Sequence, residues 1–141
     1  MTRILIADDH AVVRVGIRQM LRSNSAWDVV GEAVDGLDAV DQALFSKPDV
    51  VVLDYSLPLM NGIEVTAKIM KTLPSTRILI FSMLDNEVIL NRLLQEGIKG
   101  YLLKSEAPQY LLMTCLCFAI FHQDKFCSDK HSLQACNPVP G

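Results

Sequence analysis

The chain has 141 residues, with 13 Lys and Arg against 16 Asp and Glu, for a net charge of −3. That length suits one domain with a core that needs neither disulfides nor a metal staple. A chain that is 50% hydrophobic and 21% charged is not disordered, and its slight acidity argues against binding nucleic acid by bulk charge, which takes a basic stripe.

The N-terminus, MTRILIADDH, reaches Asp8 and Asp9 too early to be a secretory signal. The longest uncharged run, Ala107 to Gln123, contains Pro, Gln, Thr and His and falls short of the ~20 apolar residues of a membrane helix. A cytoplasmic protein with no membrane contact is expected. Cys115, Cys117, Cys127 and Cys136 all lie near the C-terminus, so they cannot staple the body of the fold and are read as thiols.

In chain order, β-branched and aliphatic runs alternate with stretches of helical periodicity. Strands are predicted at Arg3 to Ala7, Asp28 to Ala33, Asp49 to Leu53, Arg77 to Phe81 and Lys99 to Leu103. Helices are predicted at Ala11 to Arg22, Leu37 to Phe45, Asn61 to Lys71, Asn86 to Gln95 and Pro108 to His122, with Gly97 placed for a left-handed helix cap. Strict alternation implies parallel strands joined by right-handed crossovers, hence an α/β fold: a three-layer, doubly wound, five-stranded sheet. In such a fold ligands bind beyond the carboxyl ends of the strands.

Those ends are polar. The first strand runs into Asp8 and Asp9, the third into Asp54, the fourth into Ser82 and the fifth into Lys104. Parallel strands gather these residues on one edge, where like charges ~4 Å apart cost about 4 kcal/mol at an effective dielectric of 20. Lys104 offsets part of that, and a hard divalent cation with oxygen ligands is the other plausible partner, so a Mg²⁺ site is expected, held by Asp8 and Asp9. A carboxylate beside a metal, a lysine and a hydroxyl suits phosphoryl transfer, with Asp54, on the central strand, as nucleophile.

IADDH after the first strand, DYSLPLMNG from Asp54 to Gly62, Ser82, the pair Asp85-Asn86 and GYLLK from Gly100 to Lys104 together resemble the receiver domain of two-component response regulators, of the NarL/FixJ group. The resemblance covers roughly residues 2 to 122. It implies a CheY-like, flavodoxin-like strand order 2-1-3-4-5 and a protein that is not a conventional enzyme. On it, Asp54 would be the phosphoacceptor for a sensor histidine kinase, and the domain would catalyse its own phosphorylation and dephosphorylation. Asp8, Asp9, Asp54 and the Tyr55 backbone carbonyl would hold Mg²⁺, Lys104 would pair with a phosphate oxygen, and Ser82 and Tyr101 would form the conformational switch. Met83, after the switch serine, is expected to narrow the phosphoryl pocket, and Arg14 and Arg18 to face the kinase.

Simpler readings exist for each residue: Asp8 or Asp9 as a helix cap, Ser82 as a turn residue, Tyr101 as a half-buried aromatic, Lys104 as a solvated lysine. The cysteines with His122 and His131 lack the C-x₂-C spacing of a zinc site. Residues 1–122 are read as the receiver and 123–141 as a linker or tail, too short for the helix-turn-helix output domain such regulators carry. DNA control, including transcription, would therefore act through a domain absent from this chain. The alternative is a pseudo-receiver or single-domain regulator that works only as a protein-binding module. The uncharged last helix is expected to expose an apolar face and to support a homodimer.

Overall fold

A computed structural model describes residues 1–104 and 127–128. The elements are β1 (Thr2–Ala7), α1 (Ala11–Leu21), β2 (Trp27–Ala33), α2 (Gly36–Ser46), β3 (Val50–Leu53), α3 (Gly62–Thr72), β4 (Arg77–Ser82), α4 (Glu87–Glu96), β5 (Gly100–Leu103) and the two-residue β6 (Cys127–Ser128). The helix predicted at Pro108 to His122, and the homodimer built on it, lie outside the described residues.

Strand order is β2-β1-β3-β4-β5-β6 and every pairing is parallel. The five-stranded order 2-1-3-4-5 is therefore present as expected. The sheet carries one addition, because β6 falls in the stretch read as a tail, where Cys127 and Ser128 pair with Gly100 and Tyr101. An extended segment such as β6 can pair with the outer edge of a sheet through its backbone alone, and two residues are too few to leave a periodic signature.

Period-2 alternation along the strands divides the core in two. Leu5, Ala7, Val51, Leu53, Ile78, Ile80, Tyr101 and Leu103 face one side, packed beneath residues of α2, α3 and α4. Ile4, Ile6, Val50, Val52, Leu79 and Leu102 face the other, with Ile17 and Leu21 of α1. Each buried Val, Leu or Ile side chain contributes about 1.5–3 kcal/mol relative to exposure, so strands buried on both faces hold the sheet firmly beneath its polar rim. β2 is less buried than β1 and β3 because it lies at the sheet edge.

Helix ends match their sequence signals. Asp35, Asn61 and Asn86 accept the backbone N–H of Asp38, Glu64 and Ile89, satisfying donors that the first helical turn leaves free. Gly97 closes α4 at φ 97, a conformation open to a residue without Cβ.

Candidate functional site

The ladders of the sheet continue one residue past the strands, and that extension places the polar groups. The Asp8 amide donates to the Ala33 carbonyl at 3.0 Å, the Asp54 amide to Ala7 at 2.9 Å and the Lys104 amide to Ser82 at 2.7 Å. Asp8, Asp54, Ser82 and Lys104 are thereby pinned to neighbouring strands at the carboxyl edge of the sheet, where the sequence placed them.

Asp8 and Asp54 are buried, at 2% and 5% relative exposure, whereas Asp9 is exposed. Lys104 joins the two buried acids: its Nζ lies 2.5 Å from Asp8 Oδ2 and 3.3 Å from Asp54 Oδ2. The remaining oxygens also have donors. Asp8 Oδ1 accepts the His10 amide at 2.8 Å and Asp54 Oδ1 accepts the Ser56 amide at 3.2 Å. Burial pushes the Asp54 carboxyl above its ordinary pKa and the Asp8 charge adds to this, while Lys104 and the Ser56 N–H pull it back down.

Three carboxylates and the His10 imidazole place one ligand atom each within 4.8 Å of one another. Three negative charges face a single ammonium there, a deficit that a divalent cation with oxygen ligands would correct. The donor set fits Mg²⁺. The Tyr55 carbonyl, by contrast, already accepts the Gly62 amide at 2.8 Å, a contact internal to the loop between β3 and α3.

Ser82 and Tyr101 meet on Leu84. The Ser82 hydroxyl, fully buried, accepts the Leu84 amide at 3.1 Å, and the Tyr101 hydroxyl donates to the Leu84 carbonyl. Tyr101 is 4% exposed and belongs to the core beneath α3 and α4 rather than half-buried at an edge. Met83, between Ser82 and Leu84 in sequence, is 64% exposed.

Arg14 and Arg18, expected to face the kinase, are half-buried and tied to β2. Both guanidinium groups bond the two oxygens of Glu32 on β2, and Arg14 Nη1 also donates to the Asp8 carbonyl at 2.7 Å. An arginine pair three to four residues apart on one helix face, opposite a strand carboxylate, was the available signal. His10 was also missed: its Nδ1 lies 3.1 Å from Asp9 Oδ1 and 3.3 Å from Asp8 Oδ1.

The chain is similar in sequence and fold to known proteins. The family model described as the response regulator receiver domain matches residues 4–115. Oxygen regulatory protein NreC of Staphylococcus epidermidis is 42% identical over 112 residues, which are 79% of this chain and 51% of NreC. NreC of Staphylococcus aureus is 42% identical over the same length, with 52% of its own chain covered. The chain spans about half the length of the curated relatives it matches. Among solved structures, the signal receiver domain of NarL from Mycobacterium tuberculosis is 32% identical, with a TM-score of 0.80 over 86% of this chain and 97% of that one. The isolated REC domain of RcsB from Salmonella enterica, with the phosphomimetic BeF₃⁻, gives a TM-score of 0.82 at 27% identity over 96% and 98% of the two chains. The chain belongs to the response regulator receiver domain family, as a receiver of the NarL and NreC type.

Proposed function

We propose that Asp54 is the phosphoacceptor of this receiver. The observation that carries the reading is a buried carboxylate that shares one ammonium, that of Lys104, with a second buried carboxylate, beside an exposed third acid. Such a pocket is short of positive charge and prepared for a ligand that brings a cation and phosphoryl oxygens.

The step transfers a phosphoryl group from the phosphohistidine of a sensor histidine kinase. An oxygen of Asp54 forms the new O–P bond while the N–P bond breaks, and the electron pair returns to the imidazole nitrogen of the kinase. Asp8, Asp9 and Asp54 would hold Mg²⁺ through their carboxylates. A backbone carbonyl of the loop after Asp54 would add a ligand; that of Tyr55, expected from the resemblance, accepts the Gly62 amide and keeps one lone pair for the ion. Mg²⁺, when bound, supplies charge neutralisation for the phosphoryl oxygens. Lys104 would leave its contact with Asp54 to pair with a phosphate oxygen, and this group-positioning makes the domain the catalyst of its own phosphorylation and dephosphorylation.

The Ser82 hydroxyl would turn from the Leu84 amide to the phosphoryl group, and Tyr101, bonded to the Leu84 carbonyl, would couple that turn to the surface made by α4 and β5. The relatives are about twice as long as the matched region, and RcsB has been solved bound to a promoter. A transcriptional output through a DNA-binding domain outside this chain follows as our reading, with the cytoplasm as the compartment. Among the described residues no helix is long and apolar enough to cross a membrane.

The test is incubation with acetyl phosphate and Mg²⁺, followed by intact-protein mass measurement of wild type and Asp54→Asn. Wild type gains one phosphoryl mass and the variant does not. A wild type that gains none, and shows no NMR shift at Ser82 or Tyr101 with beryllofluoride, refutes the reading in favour of a protein-binding pseudo-receiver.

A further inference from the structure

We infer that His10 is a side-chain ligand of the acidic site and biases it toward divalent transition metals over Mg²⁺. The inference rests on the divalent-cation site proposed above and adds a nitrogen donor to it.

His10 stands at the N-cap of α1 yet makes no side-chain capping bond. That position ordinarily goes to Ser, Thr, Asp or Asn, whose oxygen accepts a free amide of the first turn. Here the imidazole is turned instead toward the acids, with Nδ1 3.1 Å from Asp9 Oδ1 and 3.3 Å from Asp8 Oδ1. The backbone assists, since the His10 amide donates to Asp8 Oδ1 at 2.8 Å and closes a tight turn over residues 8–10. That turn fixes the base of the imidazole relative to the buried carboxylate, so side-chain torsions alone decide where the ring goes.

The two Nδ1 spacings suit adjacent positions of a coordination shell. An octahedral ion with bonds of about 2.1 Å holds adjacent ligand atoms about 3.0 Å apart and opposite ones about 4.2 Å apart. Nδ1 sits near the adjacent-ligand distance from both carboxylate oxygens, and the four ligand atoms of Asp8, Asp9, His10 and Asp54, within 4.8 Å of one another, need draw in only slightly to close on one ion. Mg²⁺ prefers oxygen and retains its waters, whereas imidazole suits the later first-row ions. A shell of three carboxylates accepts either kind of ion. The same shell with Nδ1 added gains affinity for Co²⁺, Ni²⁺ or Zn²⁺ and little for Mg²⁺.

Calorimetric titration of the metal-free chain at pH 7.5 tests this, with Mg²⁺ and with the fraction of Co²⁺ binding that excess Mg²⁺ displaces. That displaceable fraction separates this site from any thiol binding. His10→Ala is expected to weaken displaceable Co²⁺ binding tenfold or more and to leave Mg²⁺ binding within twofold. His10→Asn, which supplies the helix-capping side chain that His10 does not, should behave the same. The ¹⁵N resonance of the His10 imidazole should also move on adding Zn²⁺. Equal losses for Co²⁺ and Mg²⁺, no loss for either, or an unmoved imidazole resonance overturns the inference and leaves the oxygen site standing. If Asp9→Asn and Asp54→Asn both bind Mg²⁺ as wild type does, the cation site itself is refuted, and the role of His10 falls with it.

Discussion

Replacing Lys104 with Met removes the ammonium that bridges the two buried carboxylates, and its cost can be bounded. Lys104 Nζ is 2.5 Å from Asp8 Oδ2 and 3.3 Å from Asp54 Oδ2, and its side chain is 11% exposed against 3% and 5% for theirs. Screening by solvent is therefore weak, and deleting one partner of a buried pair costs about 3–5 kcal/mol. A ceiling also exists. A stranded carboxyl escapes its charge by binding a proton, which at pH 7 costs about 4 kcal/mol for an ordinary pKa near 3.9. The expected loss is about 3–4 kcal/mol in Mg²⁺-free buffer, a fall in Tm of roughly 12–16 °C at about 4 °C per kcal/mol.

The pH dependence identifies the cause. Burial already raises the Asp54 carboxyl, and removal of Lys104 takes away the leading influence that lowers it. A carboxyl raised in the folded state destabilises the fold at high pH, and the penalty fades as pH falls through the folded pKa toward about 3.9. The gap between wild type and Lys104→Met should be widest near pH 7 and close toward pH 4. Excess Mg²⁺ should stabilise the variant more than wild type, because the ion no longer competes with an ammonium. Urea unfolding across this pH range measures all three effects, and a gap below about 1 kcal/mol at pH 7, or one that does not change with pH, refutes the electrostatic argument.

Asp54→Asn should raise stability at pH 7 by removing a buried charge, with the gain vanishing as pH falls below the unfolded carboxyl value; a constant gain across that range would point to packing instead. Leu59 holds φ 71 with its side chain 74% exposed, so Leu59→Gly should gain up to about 1 kcal/mol in urea unfolding, and a loss would show that the side chain has an unrecognised contact. At Gly36 an added Cβ would lie 2.1 Å from the Met60 carbonyl oxygen, whereas at Gly16 it meets nothing within 4 Å. Gly36→Ala should therefore cost about 2 kcal/mol or more and shift amide resonances of the loop before α3, while Gly16→Ala should add about 0.5–1 kcal/mol. Equal effects at the two glycines would refute the close-approach reading.

The fold was legible because strands buried on both faces are apolar at successive positions, and short β-branched or aliphatic runs such as Ile4 to Ala7 and Val50 to Leu53, bounded by polar residues, carry that pattern. The acidic edge was legible for a related reason: a polar residue that ends such a run is carried to one rim by parallel pairing, however distant in sequence. What escaped were features set by short backbone detours and by partners across elements. The engagement of the Tyr55 carbonyl by Gly62 depends on the course of one loop, which no residue type announces. The ties of Arg14 and Arg18 to Glu32 depend on α1 crossing β2 at one particular height. The turn of His10 toward Asp8 and Asp9 depends on a side-chain torsion.

The strand order also gives the site a history along the chain. β1 lies between β2 and β3, so the first 53 residues contain a complete three-stranded unit, and with Asp54 they bring all three carboxylates together. Lys104 comes from β5, which reaches that unit only through β4. During synthesis the residues that carry the three acids therefore leave the ribosome before the one that carries the ammonium. Any opening that detaches β5 from β4 leaves the same uncompensated cluster behind. The lysine thus works as a latch in the folded sheet, tying the end of β5 to the ends of β1 and β3 across the intervening β4.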